Sequence, residues 1–518
     1  MQFYGNQLFY AALFTAVLLI QFAWLRVKRL FRWELSEELT DVLFSITLAF
    51  TIGALFRLYP GNHLPPEWDS AVFLYIGRRM TEGKIPYLDL FDHKGPLLYL
   101  IEYLGCLLTP RSYSGVWLFE VAHLFATVFI SCKTVRILTK QDTCIYISLL
   151  LTYFLCGWKT WQGGNFTEEY ALPWISAALY VFIFFFQNKT FKERHIVILG
   201  ISFAAVFLLR ANMVAIWIAW IPIVIILLLC DRRYQDLWLC ILLFTIGVVI
   251  ILLPTVLIAI QKGCFSAMWR CYIDFNFSYT NGVHSTLSSW INFSSSSLLQ
   301  LWPGLLAIAV WLCRNPRDKL QWYNLWFFVV SAFTVRMSGM NFLHYQIQML
   351  PCFLLPFLSF SNLTNEVLSG RRQIQVDRFL ILGTCGLMFL GMVVFRSYRN
   401  SKTEVNVEPV VEYLINNTVS EDDVLVLGNN AWIYLAAERK TENPFFYQSP
   451  PIEISDALYH EFIGELERNP SSYIVTTFGE TEVLYQGARL SQICSMLTDF
   501  GYQYTDYGSF GVYTRTLM

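Results

Sequence analysis

Charge is what this chain has least of. Only 14% of its 518 residues are Asp, Glu, Lys or Arg, while 55% are hydrophobic. A soluble domain carries about 25% charged residues, so a soluble globular protein is excluded. The formal net charge is -1, and no basic stripe with interleaved aromatics runs along the chain, so nucleic acid is excluded as a partner. No two of the 12 cysteines stand at CxxC spacing. Most lie in apolar runs, as Cys106, Cys156, Cys240 and Cys385 do, and read as buried, reduced thiols. Internal repeats and long disordered tracts are missing too. Residues 8–24 are apolar but lack the basic start and small-residue cleavage site of a signal peptide, so they read as a retained first span.

Long apolar runs are plentiful. A helix needs about 20 apolar residues to cross a bilayer, and about twelve candidates occur. They centre near residues 16, 49, 123, 150, 179, 202, 221, 248, 305, 329, 352 and 387. One alternate set of loops is short and basic: Arg26, Lys28, Arg29 and Arg32; Lys133, Arg136 and Lys140; Lys189, Lys192 and Arg194; Arg232 and Arg233; Arg314, Arg317 and Lys319; Arg371, Arg372 and Arg378. The positive-inside rule makes that set cytoplasmic. Loops 59–113, 158–170 and 261–296, and the tail, then face outward. Both termini lie outside in this scheme, and Trp68, Trp158, Trp161, Trp269 and Trp290 flank the outer loops as an interfacial belt does.

The tail differs in composition. Short β-type runs at 424–427, 473–477 and 510–513 alternate with amphipathic stretches at 407–416, 454–468 and 490–497. That alternation predicts a small α/β domain. The expected fold class is therefore a polytopic α-helical membrane protein of about 12 transmembrane helices with a small C-terminal α/β extracytoplasmic domain.

Ionisable residues crowd into one place, Glu67 to Lys94, between two apolar spans. Charge beside a bilayer is costly and marks sites. Apolar residues from Ala71 to Met80 recur at helical spacing, which predicts an amphipathic helix lying in the interface. Asp69 stands where it can cap that helix. Arg78 and Arg79 read as headgroup contacts or solvated side chains. Gly83 ends the helix, Pro86 and Tyr87 start an extended link past Asp89 and Asp92, and residues 97–108 read as a second interfacial helix.

The run from Asp69 to Tyr99 has the pattern D-x-x-x-F-x-Y-x-G-x-x-x-x-x-G-x-x-P-Y-x-D-x-F-D-H-K-x-P-L-x-Y. This resembles the first outer loop of bacterial GT-C class membrane glycosyltransferases, nearest those similar to dolichyl-phosphate-mannose protein mannosyltransferases (family 39). Gly163-Gly164-Asn165-Phe166-Thr167-Glu168-Glu169 resembles the family's second outer loop, and Ile273-Asp274-Phe275-Asn276 a third. His344-Tyr345 with Gln348 and Pro351 resembles a segment near the last spans, and the run from Gly428 through Pro444-Phe445-Phe446-Tyr447 resembles the start of the soluble tail. Departures are visible: His93 stands where lipid A-modifying relatives carry a Glu, Gly95 where many carry Pro, and the span at 8–24 precedes the family's core.

The resemblance implies an inverting transfer of sugar from a polyprenyl-phosphate carrier to a lipid, glycan or protein acceptor, outside the plasma membrane. Such a displacement needs a base for the acceptor and positive charge for the leaving phosphate. By resemblance Asp69 is the catalytic base, and Lys94 binds the donor phosphate, with Arg210 and Arg336 as further phosphate ligands. Asp89, Glu168, Glu169, His344 and Tyr345 position substrate or loops. Asp92 and His93 are candidate ligands for a divalent metal (Mg, Mn or Zn). Membrane lipids are the remaining partner. The division expected is an added helix and cytoplasmic loop at 1–38, a catalytic module at 39–396 and a soluble domain at 397–518. A transporter or flippase for lipid-linked sugar and a surface-polysaccharide polymerase are the alternatives. A transporter is expected to carry repeat symmetry and broken helices at mid-membrane.

Overall fold

The computed structural model describes residues 36–60, 66, 68–277, 298–314, 316–337, 342–369, 383, 386–391, 393, 394, 408–476 and 488–515. The expected span at 8–24, the basic loops at 26–32 and 371–378, and Glu67 lie outside the described residues. So do residues 278–296 of the third outer loop and much of the span centred near 387.

The chain is mostly helical. Its helices run α1 (Glu37–Gly53), α2 (Trp68–Thr81), α3 (Pro96–Leu108), α4 (Ser114–Leu138), α5 (Asp142–Leu149), α6 (Thr167–Asn188), α7 (Glu193–Leu209), α8 (Ala215–Cys230) and α9 (Tyr234–Gln261). They continue with α10 (Phe265–Trp269), α11 (Trp302–Arg314), α12 (Lys319–Arg336), α13 (Leu354–Ser369) and α14 (Pro409–Asn417). A π-helical turn, Leu150–Cys156, extends α5, and a 3-10 segment, Leu343–Phe353, precedes α13. Among the described residues α4, α6 and α9 are long and apolar enough to cross a membrane. Other expected spans that lie within the described residues fall on shorter helices, such as α8 and α11.

Contacts divide the chain into two compact units. A helical unit holds Met1–Gly61, Trp117–Leu253 and Ser285–Lys402. A mixed unit holds Asn62–Val116, Pro254–His284 and Thr403–Met518. The first outer loop therefore groups with the tail.

Within the helical unit, α7 and α9 touch backbone to backbone. A Cβ on Gly200 would run into the Phe244 carbonyl, and one on Gly247 into the Val197 carbonyl. Small residues permit that approach where apolar helices gain little from hydrophobic burial. A buried ion cluster ties α1 to α4: Arg136 grips Asp41 at 2.7 and 2.5 Å, and the Tyr146 hydroxyl donates to the same carboxylate at 2.8 Å. Fully buried Asp41 needs these partners to stay charged.

The mixed unit contains a four-stranded sheet of order β1-β2-β4-β3, built from Val424–Val426, Tyr473–Thr476, Tyr502–Asp506 and Gly511–Arg515. β1 and β2 pair in parallel, Leu425 opposite Ile474, whereas β4 runs antiparallel to both β2 and β3. Buried β1 reads as a continuous apolar run, as a parallel strand covered on both faces does. In the same unit α2 crosses α3 closely, because Gly77 presents no Cβ to the Glu102 backbone.

Candidate functional site

The residues singled out from sequence fall into two groups, one in each unit. Asp69, Asp89, Asp92, His93 and Lys94 belong to the mixed unit; Glu168, Glu169, Arg210, Arg336, His344 and Tyr345 belong to the helical unit.

In the mixed unit, local chemistry shapes the loop first. Gly83 takes φ +93°, which a side chain rarely adopts, and so ends α2. The Asp89 carboxylate accepts the Ile85 N–H at 2.7 Å, and the Tyr87 N–H reaches the Leu90 carbonyl at 2.8 Å. This fold-back delivers Asp92-His93-Lys94 just ahead of α3, whose first turn opens on Pro96.

Asp92 is 1% exposed. Its Oδ2 accepts from the Tyr99 hydroxyl at 2.7 Å, and its Oδ1 from the Tyr447 hydroxyl at 2.6 Å and the His93 N–H at 2.7 Å. Burial pushes the Asp92 carboxyl up, but Lys94, His93 and the two tyrosine hydroxyls outweigh it and hold it below its ordinary value. The cost of taking this charge appears on its partner: burial first, then the Asp92 charge, push the Tyr447 phenol far above its usual range.

Lys94 is fixed at both ends. Its carbonyl accepts from the Tyr87 hydroxyl at 2.7 Å, and its N–H approaches the Tyr99 oxygen at 3.2 Å. Its ammonium sits 3.2 Å from His93 Nε2 and 5.5 Å from the centre of the Phe73 ring. An ammonium only donates, so Nε2 accepts and the His93 proton rests on Nδ1, 3.4 Å from Asp92 Oδ1. Asn276 Nδ2 holds the His93 carbonyl at 2.8 Å. Among the described residues the Lys94 ammonium makes no ion pair, although the side chain is buried.

Asp69 lies in the first turn of α2, partly exposed, and its charge acts on the Tyr447 hydroxyl. The tail contributes more than Tyr447. The Phe91 N–H donates to the Pro444 carbonyl at 2.8 Å, and the Phe91 ring stacks on Phe445 at 5.2 Å. Arg79, read from sequence as solvated, is instead buried and ion-paired with Glu82 and Glu442.

A divalent metal does not fit Asp92 and His93. Both carboxylate oxygens are engaged by tyrosine hydroxyls, and His93 Nε2 faces a cation. Among the described residues no group of three or more His, Cys, Asp or Glu could hold a metal ion.

In the helical unit, Gln162, Gly163, Gly164 and Asn165 all take positive φ (44°, 103°, 87° and 60°). Side chains other than glycine's occupy that region at a cost, which the surrounding bonds must offset. Gln162 Oε1 lies 3.0 Å from both the His344 N–H and its Nδ1. The Asn165 N–H donates to Glu120 and, at 3.2 Å, to Glu169. The His344 ring is stacked between Phe166 at 4.1 Å and Phe342 at 5.6 Å. Glu168 ion-pairs with Arg210, and the Arg210 guanidinium lies 3.9 Å from the centre of the Tyr345 ring. Arg336 is buried at the end of α12.

Residues 38–383 match the family described as the putative competence-induced protein Ccs4 N-terminal domain. The chain belongs to that family. No curated protein matches it. Among solved structures it is similar to ArnT from Cupriavidus metallidurans bound to undecaprenyl phosphate, at 11% identity over 91% of this chain and 97% of that one, with a TM-score of 0.59. The apo state of the same protein gives 10% identity, 92% and 97% coverage, and a TM-score of 0.56. The likeness is one of fold. In this Ccs4 N-terminal domain family member, the matched region carries Asp69, Asp92, His93 and Lys94 but stops before Tyr447. Tyr447, Tyr99 and Tyr87 stand within the motifs, yet nothing in the sequence assigns them a role. The usable signal was the buried acid itself, since a buried carboxylate must find donors.

Proposed function

We propose that this chain is an inverting glycosyltransferase that takes a sugar from a polyprenyl-phosphate-linked donor. The acceptor is a lipid, glycan or protein hydroxyl on the outer side of the plasma membrane. The observation that carries the reading is Lys94: a buried ammonium with no carboxylate in ion-pair contact among the described residues, braced by His93. A buried cation calls for an anion, and a sugar phosphate ester brings one. The sequence resemblance to GT-C enzymes and the likeness to a structure bound to undecaprenyl phosphate support the choice of a polyprenyl carrier.

The reaction assigned is a single displacement. Asp69 takes the acceptor hydroxyl proton as its oxygen bonds to the anomeric carbon. The bond from that carbon to the phosphate oxygen breaks, and Lys94 receives the charge left on the polyprenyl phosphate. Arg210, ion-paired with Glu168, and buried Arg336 belong to the helical unit. Asp92 acts through His93 to aim Lys94, and no step runs through a metal.

The test is transfer from a panel of radiolabelled polyprenyl-phosphate sugars, wild type against Asp69→Asn. Transfer that depends on Asp69 is the expected result. Equal transfer by both proteins would overturn the base assignment. A failure of every donor, with folded protein and a supplied acceptor extract, would overturn the transferase reading.

A further inference from the structure

Two tyrosines hold the Asp92 carboxylate, one on each oxygen, and they come from opposite ends of the chain. Tyr99 is seven residues away, whereas Tyr447 is 355 residues away, on the segment of the tail that packs against Phe91. Rings alone would not require a hydroxyl there: Tyr447 is buried against Phe91 and Phe446, and a phenylalanine would fill the same space. A buried hydroxyl costs stability unless it is hydrogen-bonded, and this one points its proton at Asp92 Oδ1. That oxygen also receives the His93 N–H and faces His93 Nδ1. His93 in turn presents Nε2 to Lys94.

We infer that Tyr447 is a positioning residue, its hydroxyl fixing Asp92 so that His93 holds the Lys94 ammonium in place. The tail thereby supplies part of the site rather than merely covering it. The assignment rests on the transferase reading only for the identity of the anion that Lys94 receives. With the hydroxyl gone, Oδ1 keeps the His93 N–H and Oδ2 keeps Tyr99, but the carboxylate loses one of its three donors, the one from the tail, and is held less tightly. His93 and Lys94 then sample other rotamers, and Lys94 becomes reachable from solvent.

Two measurements on the purified full chain test this. One is the rate of Lys94 acetylation by acetic anhydride, read by mass spectrometry. The other is the affinity for undecaprenyl phosphate in detergent micelles. Tyr447→Phe is expected to raise Lys94 labelling and to weaken undecaprenyl phosphate binding roughly tenfold, the effect of losing one charge-assisted hydrogen bond. The control is Tyr502→Phe, which removes another buried hydroxyl of the same unit from its 2.8 Å bond to the Ser471 carbonyl; it should move neither. Wild-type labelling and affinity in Tyr447→Phe, or equal changes in Tyr502→Phe, overturn the proposal. If the wild type binds no undecaprenyl phosphate yet Lys94 labelling rises in Tyr447→Phe, the carrier reading falls and the positioning role stands. Should Tyr447→Phe not fold, Asp92→Asn removes the charged acceptor and must raise Lys94 labelling; an unchanged rate overturns the proposal.

Discussion

The Lys94 ammonium rests 3.2 Å from His93 Nε2, while the Glu442 carboxylate in the same unit draws in both Arg79 and Lys84. The contrast separates a cation kept for a ligand from cations used to fasten the tail. Carboxylates are available nearby, and the one closest in sequence to Lys94, Asp92, is turned toward tyrosines instead. Asp92 still offsets part of the Lys94 charge through space, while the ammonium, making no direct ion pair among the described residues, has donors left for an incoming anion.

Lys94→Ala should weaken undecaprenyl phosphate binding by roughly 10- to 100-fold, the range of losing a charged hydrogen-bonding partner. Lys94→Arg should not restore it, because a planar fork cannot occupy the place of a compact point charge held by one imidazole. Isothermal titration with the lipid in micelles measures both. Unchanged affinity in Lys94→Ala would remove Lys94 from the donor site.

Asp69→Asn should lower turnover by about 100-fold or more, as loss of a general base does. Affinity for the donor should stay near wild type. Single-turnover rates alongside equilibrium binding distinguish these outcomes; a variant that loses binding and keeps its rate would assign Asp69 to recognition.

Glu168 and Arg210 are a buried pair, so breaking it from one side should be worse than removing it. Glu168→Gln is expected to destabilise the chain by about 3 kcal/mol. Adding Arg210→Met should recover part of that loss, since no charge is then left buried alone. A thermal-melting double-mutant cycle reads the coupling, and strictly additive losses would show that the pair is not a unit.

The Lys84 ammonium, against the opposing effect of burial and with help from Arg79, holds the Glu442 carboxyl below its ordinary value. A depressed folded value means the pair stabilises above the unfolded value of about 4.3 and loses that contribution as pH falls through the lower, folded one. Glu442→Gln should therefore lower the melting temperature at pH 7 and make less difference at pH 3, below the unfolded value. Because Glu442 is half exposed, the effect at pH 7 should stay within about 1 kcal/mol. An equal loss at both pH values would point to packing instead of charge.

Gly200→Val should disrupt the α7–α9 crossing, because the new side chain meets a carbonyl and not a flexible tip. The expected cost is about 1–3 kcal/mol, as for overpacking generally. Gly464→Ala is the comparison, with only the end of the flexible Arg468 side chain within reach. Equal melting temperatures for the two variants would mean that the helices can part without cost.

The helices and the loop motif were legible because their signals are local. Apolar runs of the right length mark α4, α6 and α9, and the run from Asp69 to Tyr99 carries its own order of acids, base and aromatics. The strand Tyr502–Asp506 gave no such signal: it is a sheet edge, exposed after its first residue, so nothing forces an apolar run. Arg79 read as a solvated base because its partner Glu442 lies 363 residues on. Tyr447 stands in a motif, but nothing local ties one tyrosine among 28 to an acid 355 residues earlier. For Glu168 and Arg210 a signal did exist, since isolated ionisable groups among apolar spans need each other. What the sequence could not supply was which distant residues would meet.

The distance between Asp92 and Tyr447 also sets an order of events during synthesis. The first loop emerges early, with Tyr99 at hand but the other hydroxyl still untranslated. A chain released before residue 447 lacks the frame around Lys94 even if every apolar span has been inserted. The site is thus complete only once residue 447 has been made, and products truncated before it would keep their early helices around an unfinished lysine.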